Sequence, residues 1–172
     1  MVHDFKDSLA KSAAQADASW WIDVYRKAFP TLQSTVCVRA DGWAQRGGID
    51  RVLTLSSGKT LTVDEKVREE TWPDILLEYW SSFEHKTPGW VAKDLACDFI
   101  AYAFIPTQTC YLLPFQSLRA AWRDNHKQWV KSYKRIEAKN KNYTTISVPV
   151  PIPILLNALN ESMTIKWGGN EI

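Results

Sequence analysis

The chain has 172 residues, a formal net charge of +2 and 9 tryptophans. This length is typical of one domain with its own hydrophobic core, so we predict a single domain over 1–172. The near-zero charge excludes a uniformly basic protein, and any affinity for a polyanion has to come from a local cluster. We find no apolar run near the ~20 residues that cross a bilayer and no apolar signal segment, which predicts a soluble cytoplasmic protein.

The first part of the chain is predicted to form a helix and three strands. The elements are a helix over 4–29, a strand over 34–40, a bend at Gly47-Gly48, a strand over 49–55, a turn over 56–59 and a strand over 60–68. The helix rests on an apolar stripe at three- and four-residue spacing, which includes Trp20, Trp21 and Val24. Phe29-Pro30 ends it.

The second part mixes further strands with one long helix. Residues 74–82 fit a strand or a short helix, and their apolar density favours the strand. The remaining predictions are strands over 97–105 and 109–115, a helix over 116–133, a loop over 137–142 and a strand-and-helix extension over 143–172. The prolines of this extension argue against a central place in a sheet. Taken together, these helices and strands predict an α/β or α+β fold with a central mixed β-sheet flanked by helices.

The hairpin of residues 49–68 concentrates acidic residues at its open end. Strand alternation puts Asp64 and Lys66 on one face, with Glu65 on the other. Asp50 opens the first strand, so the hairpin can bring its carboxylate to Asp64. Two carboxylates suit Mg²⁺, with Mn²⁺ as a substitute, and a neighbouring lysine can position the water that attacks a phosphodiester. The bland alternative is a solvated strand end with a surface ion pair.

An acid, a hairpin and then acid-x-lysine resemble the motif of the PD-(D/E)XK nuclease superfamily. The order of elements is similar from about Asp17 to Phe115, although Ile49 stands where the family has proline. The resemblance implies a restriction-endonuclease-like αβββαβ core. It also implies that Asp50, Asp64 and the backbone carbonyl of Glu65 bind the metal and that Lys66 positions the water.

Three further side chains are candidates for the same site. The resemblance implies an acid on the first helix, and Asp17 lies in the middle of its apolar stripe, where an unpaired carboxylate is costly. Glu78 is another acid in an apolar setting, for which a structural salt bridge is the favoured interpretation. Gln45 precedes the bend and can hydrogen-bond a phosphate or a metal-bound water.

The long helix, about 116–135, carries a basic stripe with four-residue spacing. Its members are Arg119, Arg123, Lys127, Lys131 and Arg135. Such a stripe can follow a phosphate backbone, and the alternative is a solvated helix face. It predicts a nucleic-acid-binding surface.

Together these patterns predict a metal-dependent DNA endonuclease, with a possible homodimer for cutting both strands. The predicted compact single domain is typical of a nuclease from a phage or mobile element. One alternative is a non-catalytic member of the same fold that binds nucleic acid or a protein. The other is an unrelated α+β interaction module. The 3 cysteines are widely spaced without a CxxC pair, which predicts free thiols.

Overall fold

The computed structural model of the protein describes residues 18–168 and has mixed α+β architecture. The helices are α1 (Trp20–Ala28), α2 (Gly42–Arg46), α3 (Phe115–Ser132) and α4 (Ile152–Ala158). The strands are β1 (Leu32–Cys37), β2 (Arg51–Leu55), β3 (Thr60–Arg68), β4 (Asp74–Ser82), β5 (Thr87–Pro88), β6 (Phe99–Phe104), β7 (Thr109–Pro114), β8 (Ile136–Lys139), β9 (Thr144–Pro151) and β10 (Met163–Lys166).

The described chain divides into two compact units, neither of which is continuous in sequence. The first unit contains residues 18–71, 95–115 and 161–168, and the second contains 72–94 and 116–160. The prediction that residues 1–172 act as one nuclease-like domain stays a prediction.

The first unit is built on a six-stranded sheet of order β1-β2-β3-β6-β7-β10. All neighbours are antiparallel except β3 and β6, which run parallel with Asp64 opposite Ile100. The predicted mixed sheet is therefore confirmed.

Helix α1 supplies much of the core of this unit. Trp21, Val24 and Tyr25 are completely buried and belong to the same apolar cluster as Leu53 and Val63. Burial of each large apolar side chain contributes roughly 1.5–3 kcal/mol. The helix ends at Ala28, one residue before the predicted end, and the predicted part before residue 18 lies outside the described residues.

The second unit has a four-stranded sheet of order β5-β4-β9-β8. The strand predicted over 74–82 is confirmed as β4. On α3, the buried Trp122 packs against Tyr79, with ring centroids 5.3 Å apart. None of the helices between residues 18 and 168 is long and apolar enough to cross a membrane.

Two predictions for this unit are wrong. The stretch assigned to a loop contains part of β8, and β9 lies between β4 and β8 rather than at an edge. Pro149 and Pro151 are tolerated because β8 pairs only with residues 144–147 of β9. Beyond that point β9 pairs with β4 alone, so a missing N–H donor can face the side without a neighbouring strand.

Candidate functional site

The β2–β3 hairpin brings Asp50 and Asp64 together. Arg51 is paired with Val63, and the N–H of Asp50 donates to the carbonyl of Val63 at 2.8 Å. This hydrogen bond departs from the ladder register, so Asp50 lies just before the paired residues of β2, and its carboxylate is close enough to Asp64 to raise the pKa of that residue. Oδ2 of Asp50 also accepts the N–H of Glu65 at 2.8 Å, which fixes the orientation of its carboxylate.

Asp64 and Lys66 share one face of β3, and Nζ of Lys66 lies 2.6 Å from Oδ1 of Asp64. The Asp64 side chain is only 6% exposed, whereas the Lys66 side chain is 31% exposed. Burial raises the pKa of Asp64 to about 6; Lys66 opposes the rise, and the nearby Asp50 carboxylate adds to it. Such a carboxylate is stabilised by any cation that binds beside it.

A tight bend fixes the backbone that leads into Asp50. Gly48 has φ +67, and a Cβ there would lie 2.9 Å from a side-chain carbon of Leu95. The carbonyl of Gly47 accepts the N–H of Ala96 at 2.8 Å. The predicted glycine bend is therefore confirmed, and the positive φ of Gly48 favours glycine there.

Helix α2, just before this bend, was not predicted. The Asp41 side chain caps it by accepting the N–H groups of Trp43 and Ala44 at 2.8 and 2.9 Å. An aspartate before a short run with helix-forming residues is a cap signal that could have revealed this helix. Gln45 lies on α2 and is exposed.

The side chain of Glu65 points away from Asp64, as strand alternation predicts. It is fully buried and accepts from the hydroxyl of Tyr25 at 2.8 Å and from Nε of Arg51 at 2.6 Å. Burial raises the pKa of Tyr25, and the charge of Glu65 raises it further, so the phenol stays a donor. Because the Glu65 side chain is occupied by these contacts, only its backbone carbonyl is left as the predicted metal ligand.

Arg39 links this buried network to the candidate site. Its Nη2 lies 3.2 Å from Oδ2 of Asp50 and 3.1 Å from Oε2 of Glu65. Sequence reasoning missed Arg39, Arg51 and Tyr25. Arg51 had a usable signal, because strand alternation puts it on the same face as Leu53, and a core-facing arginine needs an acid such as Glu65.

The donor set fits a hard divalent cation. Among residues 18–168 no group of three or more His, Cys, Asp or Glu side chains is arranged to hold a metal ion. Asp50 and Asp64 are a pair of oxygen donors, and Mg²⁺ commonly binds through one or two carboxylates and keeps several waters.

Two further acidic residues, Asp17 and Glu78, were predicted as candidates. Asp17 lies outside the described residues. Glu78 belongs to the second unit, where its Oε1 accepts the backbone N–H of Trp90 at 3.3 Å, a hydrogen bond and not the salt bridge favoured from the sequence. Cys37, Cys97 and Cys110 are free, as predicted.

The basic stripe is shorter than predicted and partly neutralised. Arg119 pairs with Asp94 at 2.6 Å, and Arg123 with Asp124 at 3.0 Å. Lys127 and Lys131 are exposed. The prediction that the helix reaches Arg135 is wrong, since α3 ends at Ser132 and the chain becomes extended in β8 from Ile136.

Comparisons with protein-family models, with curated proteins and with solved structures find no match. The geometry of these residues is therefore the basis for a function.

Proposed function

We propose that the protein is a metal-dependent DNA endonuclease of the PD-(D/E)XK type. The observation that carries the proposal is the Asp50 carboxylate held beside Asp64 by the N–H of Glu65, with Nζ of Lys66 2.6 Å from the Asp64 carboxylate. A bland surface ion pair does not account for two adjacent carboxylates, one of them nearly buried, because each raises the cost of ionising the other.

The order of elements around the site also supports the proposal. Helix α1 precedes the antiparallel strands β1, β2 and β3, and β6 then runs parallel to β3. One departure from the αβββαβ pattern is that residues 69–98, all of them described, contain strands β4 and β5 and no helix.

In this proposal Asp50 and Asp64 hold Mg²⁺, with the carbonyl of Glu65 as a further donor. The bound cation would polarise the phosphoryl group and make water more acidic. Lys66 places its ammonium beside Asp64, where it orients the attacking water and offsets charge on the phosphoryl oxygens. Arg39 and the N–H of Glu65 occupy Oδ2 of Asp50 and leave its Oδ1 to face the cation. Asp17 is proposed as an outer acid.

Cleavage of supercoiled plasmid tests the proposal. The wild type and the Lys66→Ala and Asp64→Asn variants are incubated with Mg²⁺, with Mn²⁺ and with EDTA. The matched control is Lys59→Ala, which removes an exposed lysine from the turn of the same hairpin. We expect nicking or linearisation that requires metal and disappears in both site variants but persists in the control. Full cleavage by Lys66→Ala would end the assignment.

One observation favours a second candidate, a non-catalytic member of the fold that binds nucleic acid or a protein. Arg39 lies within ion-pair distance of Asp50 and can neutralise it without a metal. In that case no metal supports cleavage, and Mn²⁺ leaves both the tryptophan fluorescence and the melting temperature unchanged.

A further inference from the structure

Trp43 is the most exposed large apolar side chain of the described chain. It is 81% exposed, and the next, Val36, is 55% exposed. An isolated exposed apolar residue is ordinary, but a tryptophan this exposed loses most of the ~150–250 Å² that an aromatic ring can bury. Packing within the chain therefore does not explain Trp43, whereas a ligand bound to its ring would.

The indole is held on an ordered support. The guanidinium carbon of Arg46 lies over the ring, 4.5 Å from its centroid. Asp41 caps the helix through the N–H of Trp43 itself. A ring that is fixed by its backbone, with a cation over it, needs little ordering on binding.

The support is joined directly to the candidate metal site. The carbonyl of Ala44, the residue after Trp43, accepts the N–H of Ile49 at 2.9 Å, and Ile49 precedes Asp50. This path of one hydrogen bond and two peptide units keeps the Cα atoms of Trp43 and Asp50 within about 15 Å of each other. A phosphate at Asp50 and a base at Trp43 can then belong to nearby nucleotides of one strand.

We propose that Trp43 and Arg46 form a stacking platform for an unpaired nucleobase, so that the substrate class is nucleic acid with a single-stranded segment at the cut. The proposal rests on the proposed function and names the substrate of that site. An aromatic ring stacks on any base, and a neighbouring arginine attracts the phosphate that links two bases. The flanking side chains, Asp41, Gln45 and Arg46, are polar, which disfavours a contiguous apolar protein interface.

Binding of labelled oligonucleotides in EDTA tests this platform separately from cleavage. The probes are a mixed-sequence single strand, a blunt duplex and a duplex with a single-stranded overhang, each measured by fluorescence anisotropy. The variants are Trp43→Ala and Trp43→Phe, and the matched control is Trp72→Ala, which removes a tryptophan that is 45% exposed in the second unit. Circular dichroism checks that each variant is folded.

We expect Trp43→Ala to weaken binding of the single strand and the overhang by about 5- to 100-fold. Trp43→Phe should weaken it less, and neither variant should change duplex binding. Equal loss on the single strand and the duplex, no loss, or no binding of any probe by the wild type would each overturn the platform. Absence of metal-dependent cleavage of both the plasmid and the overhang duplex, together with the expected binding pattern, would reject the nuclease and leave the platform standing.

Discussion

Nζ of Lys66 lies 2.6 Å from Oδ1 of Asp64, yet the pKa of Asp64 is raised to about 6. An opposite charge at this distance normally lowers the pKa of a carboxyl group. Burial of Asp64, assisted by the adjacent Asp50, therefore outweighs the attraction to the lysine. The buried charge of Asp64 is therefore a net cost to the metal-free fold despite its pairing with Lys66, which is the pattern expected of residues kept for binding.

Asp64→Asn should stabilise the metal-free protein at neutral pH. A raised pKa in the folded state means that stability from this group is complete below about pH 4 and is lost as the pH rises through about 6. The loss is on the order of 3 kcal/mol, and the asparagine variant should escape it. Urea unfolding in EDTA at pH 4, 5, 6 and 7 should show a stability difference between variant and wild type that grows with pH.

The control for this series is Asp41→Asn, which keeps the helix cap on an exposed residue and should show no such trend. A less stable Asp64→Asn protein at pH 7 would show that the ion pair with Lys66 is a net gain.

Gly48→Ala should impair cleavage as well as stability, whereas Gly58→Ala should affect stability alone. Both glycines have positive φ, but a Cβ at Gly48 would meet Leu95 at 2.9 Å and one at Gly58 would meet nothing within 4 Å. We expect Gly58→Ala to cost about 1–2 kcal/mol from backbone strain. Gly48→Ala should cost more and should displace Asp50. Melting temperature and plasmid cleavage are measured for both variants. Equal cleavage by Gly48→Ala and Gly58→Ala would contradict a role for the bend in placing Asp50.

Glu65→Gln should destabilise the protein strongly, by about 3–5 kcal/mol. It removes the charge that pairs with Arg51, whose side chain is only 7% exposed. The double variant Arg51→Met/Glu65→Gln should cost less than the sum of the two single variants, because neither charge is then left alone. Urea unfolding of the four proteins gives the coupling energy, and simple additivity would show that the two side chains do not depend on each other.

Replacing Lys127 and Lys131 together by alanine should weaken duplex binding and reduce its salt dependence. Each phosphate contact contributes about −0.9 to the slope of log K against log salt, so the slope should become shallower by up to about 2. Arg119→Ala is the comparison, since Arg119 already pairs with Asp94 and should contribute less. An unchanged slope in the double variant would make this helix face a solvated surface.

The sequence predicted the parts that depend on local pattern. Alternation in β3 correctly separated Asp64 and Lys66 from Glu65, and the two glycines correctly marked the bend. Arg39 and Tyr25 were missed because each reaches Glu65 from a distant part of the chain, Tyr25 from α1 and Arg39 from the segment after β1, and no local period encodes such contacts. The inner position of β9 was missed because the length of β8, and not the prolines alone, decides which N–H groups need a partner.

The interleaving of the two units along the chain has a consequence for synthesis on the ribosome. The β2–β3 hairpin can close within microseconds, since its strands are adjacent. Strand β3 acquires its parallel neighbour β6 only after the intervening residues of the second unit have emerged, and β7 waits for β10 until residue 166. Until then β7 has an unprotected edge, a template for intermolecular pairing. Chain elongation, rather than hairpin closure, therefore sets when this sheet can be completed.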